Sequence, residues 1–454
     1  MTIFFKFDKI EEGFQCFNLT NYNNTSHTRV GISPVATTIL RKSQTTPDNI
    51  LYKNKILSGT TNSPDQKYII AVGVGYSPLQ WCGPDSQGLG IDPSDLNKKN
   101  IFCYLRADQL NDLRSGKAFF LLDQTHEGYH IEWLWDWFHN TCNDFSINPK
   151  QIIYITGDIE AEQRYKEWAN SKNITPSMCV LGWPHFENVI YDVSTGYTQF
   201  GVPHPGKIVM RKLPNYEHHV DFKKVNPSGI KPFNILQKRP RGHRLWFYKY
   251  LHDANLVKSN IISMNKFSWQ ETYTEGKVMD PDDCNRIVES LPIFPIENPE
   301  NYKLENFVSS DGGEYIIKIN DVTMLYSWCT IVSEASCADH ENTCFISEKT
   351  FKPIICQHPF IILGSKGILK NLQKLGYKTF HPYINEEYDN LSTFERMEAI
   401  VKEMQRLQKM NSREWFEWYS NIEGILKYNH KHMINRANSY VSTLYNFLVN
   451  HAGS

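Results

Sequence analysis

The chain has no C-x-x-C pair, no apolar run long enough to cross a bilayer, no internal repeat and no low-complexity tract. The first absence sets aside the common zinc and thiol-redox frameworks. The 10 Cys are scattered through 454 residues and read as reduced thiols. The second sets aside a membrane span, which needs roughly 18 or more consecutive apolar residues. The opening MTIFFKFDKIEEGF is broken by Lys6 and Asp8, so no secretory signal is expected and the setting is read as cytoplasmic. A net charge of −1 gives no basic field for gripping long nucleic acid. A local basic groove would be hidden in that total, and KIVMRKLPNYEHHVDFKK (207–224) is the obvious stretch for one. Cys337, Asp339, His340 and Cys344 lie close in sequence, but their spacing matches no common zinc pattern. No metal site is expected.

What the chain does have is strand–helix alternation. KYIIAVGVGY (67–76), NIFCYLR (100–106), KAFFLLD (117–123), QIIYITGD (151–158) and SMCVLGW (177–183) read as strands in the first half. The Trp-rich EGYHIEWLWDWFHNTCN and IEAEQRYKEWANS (159–171) have helical spacing. Aromatics make up 13% of the chain and include 11 Trp, which fill cores more often than they line sugar sites. A Pro- and Gly-containing region from Gly201 to Pro232 marks an inter-domain connection. Beyond it FNILQKRP (233–240), NIISMNKF (260–267) and VTMLYSWC (322–329) are strands, and GHRLWFYKYLHDAN (242–255) and DDCNRIVESLP (282–292) are helices. Asp280-Pro281-Asp282-Asp283 fits a helix start better than a metal site. After Ser365 come the helix GILKNLQKLGY, the strand-like KTFHPYI and a helical remainder. The expected architecture is α/β, with two Rossmann-like parallel-sheet domains facing across a cleft and a C-terminal helical tail. The expected divisions are 1–225, 226–385 and 386–454.

The most informative stretch is Thr330–Ser365: a short apolar strand, a polar loop, a helix opened by Ser347-Glu348-Lys349-Thr350, and a second buried strand. Open parallel sheets hold phosphorylated ligands above the carboxyl ends of their strands. A helix N-terminus there offers free N–H groups and partial positive charge, and Lys349 adds a full charge. Glu348 suits sugar hydroxyls. A second strand-to-helix turn, KRPRGHR, clusters Arg239, Arg241 and Arg244 where positive charge opposes the helix dipole, as an anion site would require. Both turns suit a nucleotide diphosphate leaving group, whose developing charge must be met by cations and helix tips.

On these residues the second half resembles the donor domain of the α1,3-fucosyltransferases and their bacterial and viral relatives, which have the GT-B plan. Ser333-Glu334-Ala335-Ser336 stands for the family's Phe-Glu-Asn-Ser/Thr, and Phe345-Ile346-Ser347-Glu348-Lys349 for its Tyr-x-Thr-Glu-Lys. His358 to Gly364 stands for the strand that follows, and Arg244-Leu245-Trp246-Phe247 for the Arg-led helix. The resemblance covers about residues 233–385. It implies donor-binding roles at Arg244, Glu334, Ser336, Phe345, Ser347, Glu348 and Lys349, with Arg244 and Lys349 on the diphosphate and Glu348 on the ribose. Ala335 replaces the family's Asn and Phe345 its Tyr, which bears on the identity of the sugar.

The first half shows no matching motif, so the catalytic base is sought by chemistry. An inverting transfer needs one group to take the acceptor's proton. Asp123, His126 and Glu127 follow the strand KAFFLLD, with Glu127 and Asp123 the chosen candidates. Asp158 fits a helix cap. The expected function is transfer of a sugar, GDP-linked as a first guess, to a hydroxyl of a glycan. The reaction is expected to be inverting and metal-independent, with the nucleotide sugar as co-substrate and no separate cofactor. A modified DNA base as acceptor, and a non-catalytic carbohydrate-binding protein of the same fold, are the alternatives.

Overall fold

The computed structural model describes residues 3–6, 30–33, 35, 36, 38, 39, 42, 56–59, 67–74, 102, 105, 107–126, 128, 133–195, 230–237, 240–264, 273, 274, 277–291, 323, 324, 326–337, 339 and 343–453. The chain divides into two compact units. Unit 1 is Met1–His185 with Arg436–Ser454, and unit 2 is Phe186–Asn435. The expected connection at Gly201–Pro232, the join near 225 and the basic stretch 207–224 fall in or almost wholly within 196–229, outside the described residues.

Unit 1 is built on a parallel sheet. Its strands are β1 (Ile3–Lys6), β3 (Ile56–Gly59), β4 (Tyr68–Val74), β5 (Ala118–Gln124), β6 (Ile152–Thr156) and β7 (Cys179–Gly182), in the order β3-β1-β4-β5-β6-β7. A short β2 (Val30–Ile32) pairs antiparallel with β4. β5 and β6 are buried along their whole length, which is why they read as unbroken apolar runs. Their side chains alternate between two cores, as the period of two demands. Phe120, Leu122 and Tyr154 join Tyr68, Ile70 and Val72 on one face, where the helix Leu134–Asp144 inserts Trp135 and Phe138. Phe119, Leu121, Ile153 and Ile155 face Tyr440, Val441, Leu444 and Leu448 of the last helix, Tyr440–Gly453. The tryptophans of the helix Leu134–Asp144 thus serve packing, at about 1.5–3 kcal/mol for each large side chain buried.

Unit 2 has a four-stranded, wholly parallel sheet. Its strands are β8 (Lys231–Leu236), β9 (Ile261–Ser263), β12 (Ser327–Ser333) and β13 (Phe360–Leu363), in the order β13-β12-β8-β9. A two-stranded ribbon, β10 (Tyr273–Thr274) with β11 (Lys277–Val278), lies between in sequence. The chain runs from β8 to β9 on one side and later returns to β12 on the other. The β8–β12 boundary is therefore the topological switch point, where adjacent loops depart in opposite directions and leave a crevice. Asn234 helps seam this boundary, its amide donating to Ser327 Oγ at 2.6 Å and Thr330 Oγ1 at 2.8 Å.

The helix after β8, Gly242–Asp253, and that after β12, Glu348–Ile355, match the sequence expectation. So does the helix Pro281–Glu289, where the Asp280 side chain accepts from the backbone of Asp282 at 2.9 Å and Asp283 at 3.3 Å and acts as its cap. KTFHPYI departs from expectation and forms no strand. Its backbone is satisfied by side chains instead: Lys378 exchanges two bonds of 2.8 Å with the Asn429 amide, and Phe380 N–H donates to Glu386 at 2.6 Å. The helix Thr393–Gln408 starts with a capping box of Ser392 and Glu395. Its Arg396 is wholly buried and holds the Gly364 and Cys337 carbonyls at 2.6 and 3.0 Å. The helix Ser412–Asn438 then carries the chain from unit 2 back into unit 1. Among the described residues no helix is long and apolar enough to cross a membrane, and the described cysteines are free thiols.

Candidate functional site

The site is organised by three residues at the carboxyl end of β12. Ser333, Glu334 and Ala335 turn their carbonyls toward the helix that follows β8. Arg244 Nη2 donates to Ser333 O at 3.2 Å and Glu334 O at 3.1 Å. Arg241 Nη1 donates to Ala335 O at 2.6 Å. His243 Nε2 lies 3.1 Å from Glu334 O, and since a carbonyl only accepts, the ring proton is on Nε2. One turn of backbone thus seats two guanidiniums and an imidazole.

The Glu334 side chain points the same turn at the other helix. Its carboxylate is fully buried and accepts from Thr350 Oγ1 at 2.6 Å, from Ser347 N at 3.2 Å, from Ala335 N at 3.3 Å and from the Ser347 hydroxyl. Ser347 is itself the cap of that helix, accepting from Lys349 N. Gly364 makes room for the latch, because a Cβ there would come within 3.4 Å of Glu334 Cγ and 2.7 Å of Ile368 Cδ1. Glu334 therefore ties the start of the helix Glu348–Ile355 to the strand end that seats Arg244.

Lys349 Nζ completes the arrangement, 2.7 Å from Glu348 Oε1 and 3.0 Å from Ser347 Oγ, with its side chain about a quarter exposed. Burial works against ionisation of Glu348, but Lys349 and Lys352 outweigh it and hold the carboxyl below its ordinary range. Burial pulls Lys352 down to about 8 against the opposing charge of Glu348. Burial, with Arg241 beside it, pulls Arg244 to about 10, so it stays charged at neutral pH. His243 is driven well below its usual value by burial and by the two arginines, and is neutral. Four cations, Arg241, Arg244, Lys349 and Lys352, face two carboxylates, Glu334 and Glu348. The surplus of positive charge at two helix N-termini suits an anion of two or more charges.

Of the seven residues expected to bind the donor, Arg244, Glu334, Ser347, Glu348 and Lys349 come together here. Ser336 is buried with its hydroxyl 3.5 Å from Ser365 Oγ, and Phe345 is buried edge-on to Phe186, ring centres 5.9 Å apart. Sequence reasoning assigned no role to His243 or Lys352, and named Thr350 only as part of the helix start. Lys352 was legible as the i+4 partner of Glu348 on the helix.

In unit 1, Asp123 at the end of β5 is buried and its oxygens are fully engaged. Oδ2 accepts from Ser33 Oγ at 2.6 Å and Val35 N at 2.8 Å, and Oδ1 from Thr125 Oγ1 at 2.7 Å and Thr125 N at 3.0 Å. Glu127 lies outside the described residues. His126 is half-buried with its ring 5.1 Å from that of His185, which is 3.1 Å from the Tyr440 hydroxyl. Burial lowers the His126 pKa against the pull of Asp123. Asp158 accepts from Glu160 N at 3.2 Å and from Arg164 Nε at 3.0 Å, two residues ahead of the N-cap position Glu160 of the helix Ala161–Ser171. Asp339 pairs with Arg396 at 2.7 Å, and His340 is outside the described residues. Among the described residues no group of three or more His, Cys, Asp or Glu gathers as metal ligands would.

No family model and no curated protein matches the chain. Among solved structures it is similar to a UDP-forming α,α-trehalose-phosphate synthase from Burkholderia xenovorans, at 11% identity and a TM-score of 0.35, over 85% of this chain and 74% of that one. A likeness of this depth assigns neither a reaction nor a residue.

Proposed function

We propose that the chain is a glycosyltransferase of GT-B type that moves a sugar from a nucleotide-diphosphate donor to a hydroxyl acceptor, with a GDP-sugar such as GDP-fucose the first donor to try. One observation carries the reading. A single turn at the carboxyl end of β12, at the switch point of a parallel sheet, holds Arg241 and Arg244 and ties down the helix start that carries Lys349. In this reading the diphosphate leaves against Arg244, Lys349 and the tip of the helix Glu348–Ile355, which are fixed before charge develops and need no reorganisation when it does. Glu348, kept ionised, accepts from the ribose hydroxyls. The acceptor's proton passes to a group following β5. Asp123 has its oxygens engaged, so Glu127 and its neighbour His126 are the bases of this reading. A glycan is the favoured acceptor and a modified DNA base the lesser one.

Thermal shift with GDP, UDP and ADP tests the reading directly. At least one is expected to raise the melting temperature, and Arg244→Ala or Lys349→Ala to weaken that nucleotide by on the order of 10- to 100-fold while the protein stays folded. No stabilisation by any of the three would sink it. Nucleotide binding without release of nucleotide from any donor sugar would leave the non-catalytic carbohydrate-binding protein as the better account.

A further inference from the structure

At the carboxyl edge of the unit 2 sheet, two polar side chains are buried with no hydrogen-bond partner for one of their atoms: the Gln237 amide at Nε2 and the Ser333 hydroxyl. Gln237 is 4% exposed and Ser333 is 2% exposed. The β8–β12 register pairs Phe233 with Cys329 and Asn234 with Thr330, and continued past the last paired residues it brings Gln237 level with Ser333. Residues at the same level of a parallel pair direct their side chains to the same face. The extrapolated register therefore puts both residues at one level of the switch point, beyond the seam where the Asn234 amide nitrogen is matched.

Native chains keep few such groups, because a buried donor without a partner costs stability that an apolar side chain would not. These two occur where a ligand is expected and beside groups that already call for an anion. Ser333 also supplies the carbonyl that seats Arg244 Nη2 at 3.2 Å, so the residue meets that guanidinium through its backbone. The terminal torsion of glutamine is broad and nearly two-fold, which lets the amide turn its N–H groups without moving the backbone.

We propose that Gln237 and Ser333 are a neutral donor pair for a phosphate oxygen of a nucleoside diphosphate, adjoining the charged contact of Arg244. The proposal rests on the reading of unit 2 as the donor-binding unit. Both side chains donate to the oxygen, and the pair adds direction to the site without adding charge.

Ser333→Ala and Gln237→Leu test it in the intact chain. Binding of GDP, UDP, ADP and inorganic pyrophosphate is measured by calorimetry, and the melting temperature is recorded without ligand. Each variant is expected to melt at or above the wild-type temperature, since an unpaired polar group has been removed. Each is expected to bind diphosphate about tenfold more weakly. The opposite signs are diagnostic, because a purely structural role would lower both. Unchanged affinity, or a lowered melting temperature, overturns the proposal. If the wild type binds pyrophosphate but no nucleotide, the glycosyltransferase reading falls, and the pyrophosphate affinities of the variants still decide the subsite. Failure of the wild type to bind any probe overturns both.

Discussion

The two parallel sheets place acidic residues at equivalent positions and use them differently. In unit 1, Asp123 in the last residues of β5 and Asp158 just after β6 are absorbed by nearby hydrogen bonds, to residues 33, 35 and 125 and to residues 160 and 164. In unit 2, Glu334 follows a strand end and is equally absorbed, but its partners Ser347 and Thr350 open a helix that carries Lys349 and Lys352. The carbonyls around it hold Arg241 and Arg244. The strand-end rule supplies a location in both units. The charges that local bonding gathers there decide whether the location suits an anion, and in unit 2 they do.

The largest expected effect comes from removing the organising carboxylate. Glu334→Leu leaves Ser347 and Thr350 donors buried without an acceptor, and should cost on the order of 3–5 kcal/mol in urea denaturation and abolish nucleotide stabilisation. A variant of wild-type stability would show that Glu334 ties nothing. Asp123→Asn in unit 1 should cost about 2 kcal/mol, from one mismatched set of bonds, and leave the nucleotide-induced shift intact. A folded Asp123→Asn protein that binds nucleotide but no longer transfers sugar would instead make Asp123 the base and blur the contrast between the units.

The pH dependence is subtler. Lys352 has its pKa lowered from the ordinary lysine value to about 8 by burial. Between that pH and the unfolded lysine value the unfolded chain binds more protons, so this residue's contribution to stability rises with pH across the window. Diphosphate affinity should move the other way, weakening as pH rises through about 8, with a proton taken up on binding above that pH. Calorimetry in buffers of different ionisation enthalpy measures that uptake, and a flat affinity from pH 7 to 9.5 would remove Lys352 from the site. Smallest is Asp280→Ala, which should cost about 1 kcal/mol as a lost cap and leave nucleotide binding unchanged. A loss of binding there would reopen the acidic run Asp280-Pro281-Asp282-Asp283 as a functional site.

Much of unit 2 was legible because β12, the helix Glu348–Ile355 and β13 are apolar runs separated by cap-forming polar residues. The proximity of Arg244 to Lys349 was an expectation from strand-end logic and from the resemblance in the two motifs that carry them. The latch that joins them was not legible, since Glu334 finds its partners 13 and 16 residues downstream. KTFHPYI misled for a related reason. It has the composition of a strand, but an asparagine 51 residues away replaces the neighbouring strand that would have made it one. Gln237 and Ser333 carry no signal in sequence, because an unpaired group is defined only by what surrounds it.

Unit 1 is assembled from two separated lengths of polypeptide, and one core of its sheet includes Tyr440, Val441, Leu444 and Leu448. A translation product stopping after Asn435 would therefore leave Phe119, Leu121, Ile153 and Ile155 bare to water, and would be prone to aggregate however well the rest of the sheet formed. Unit 2, by contrast, is one uninterrupted length, 186–435. It is the natural fragment to express alone.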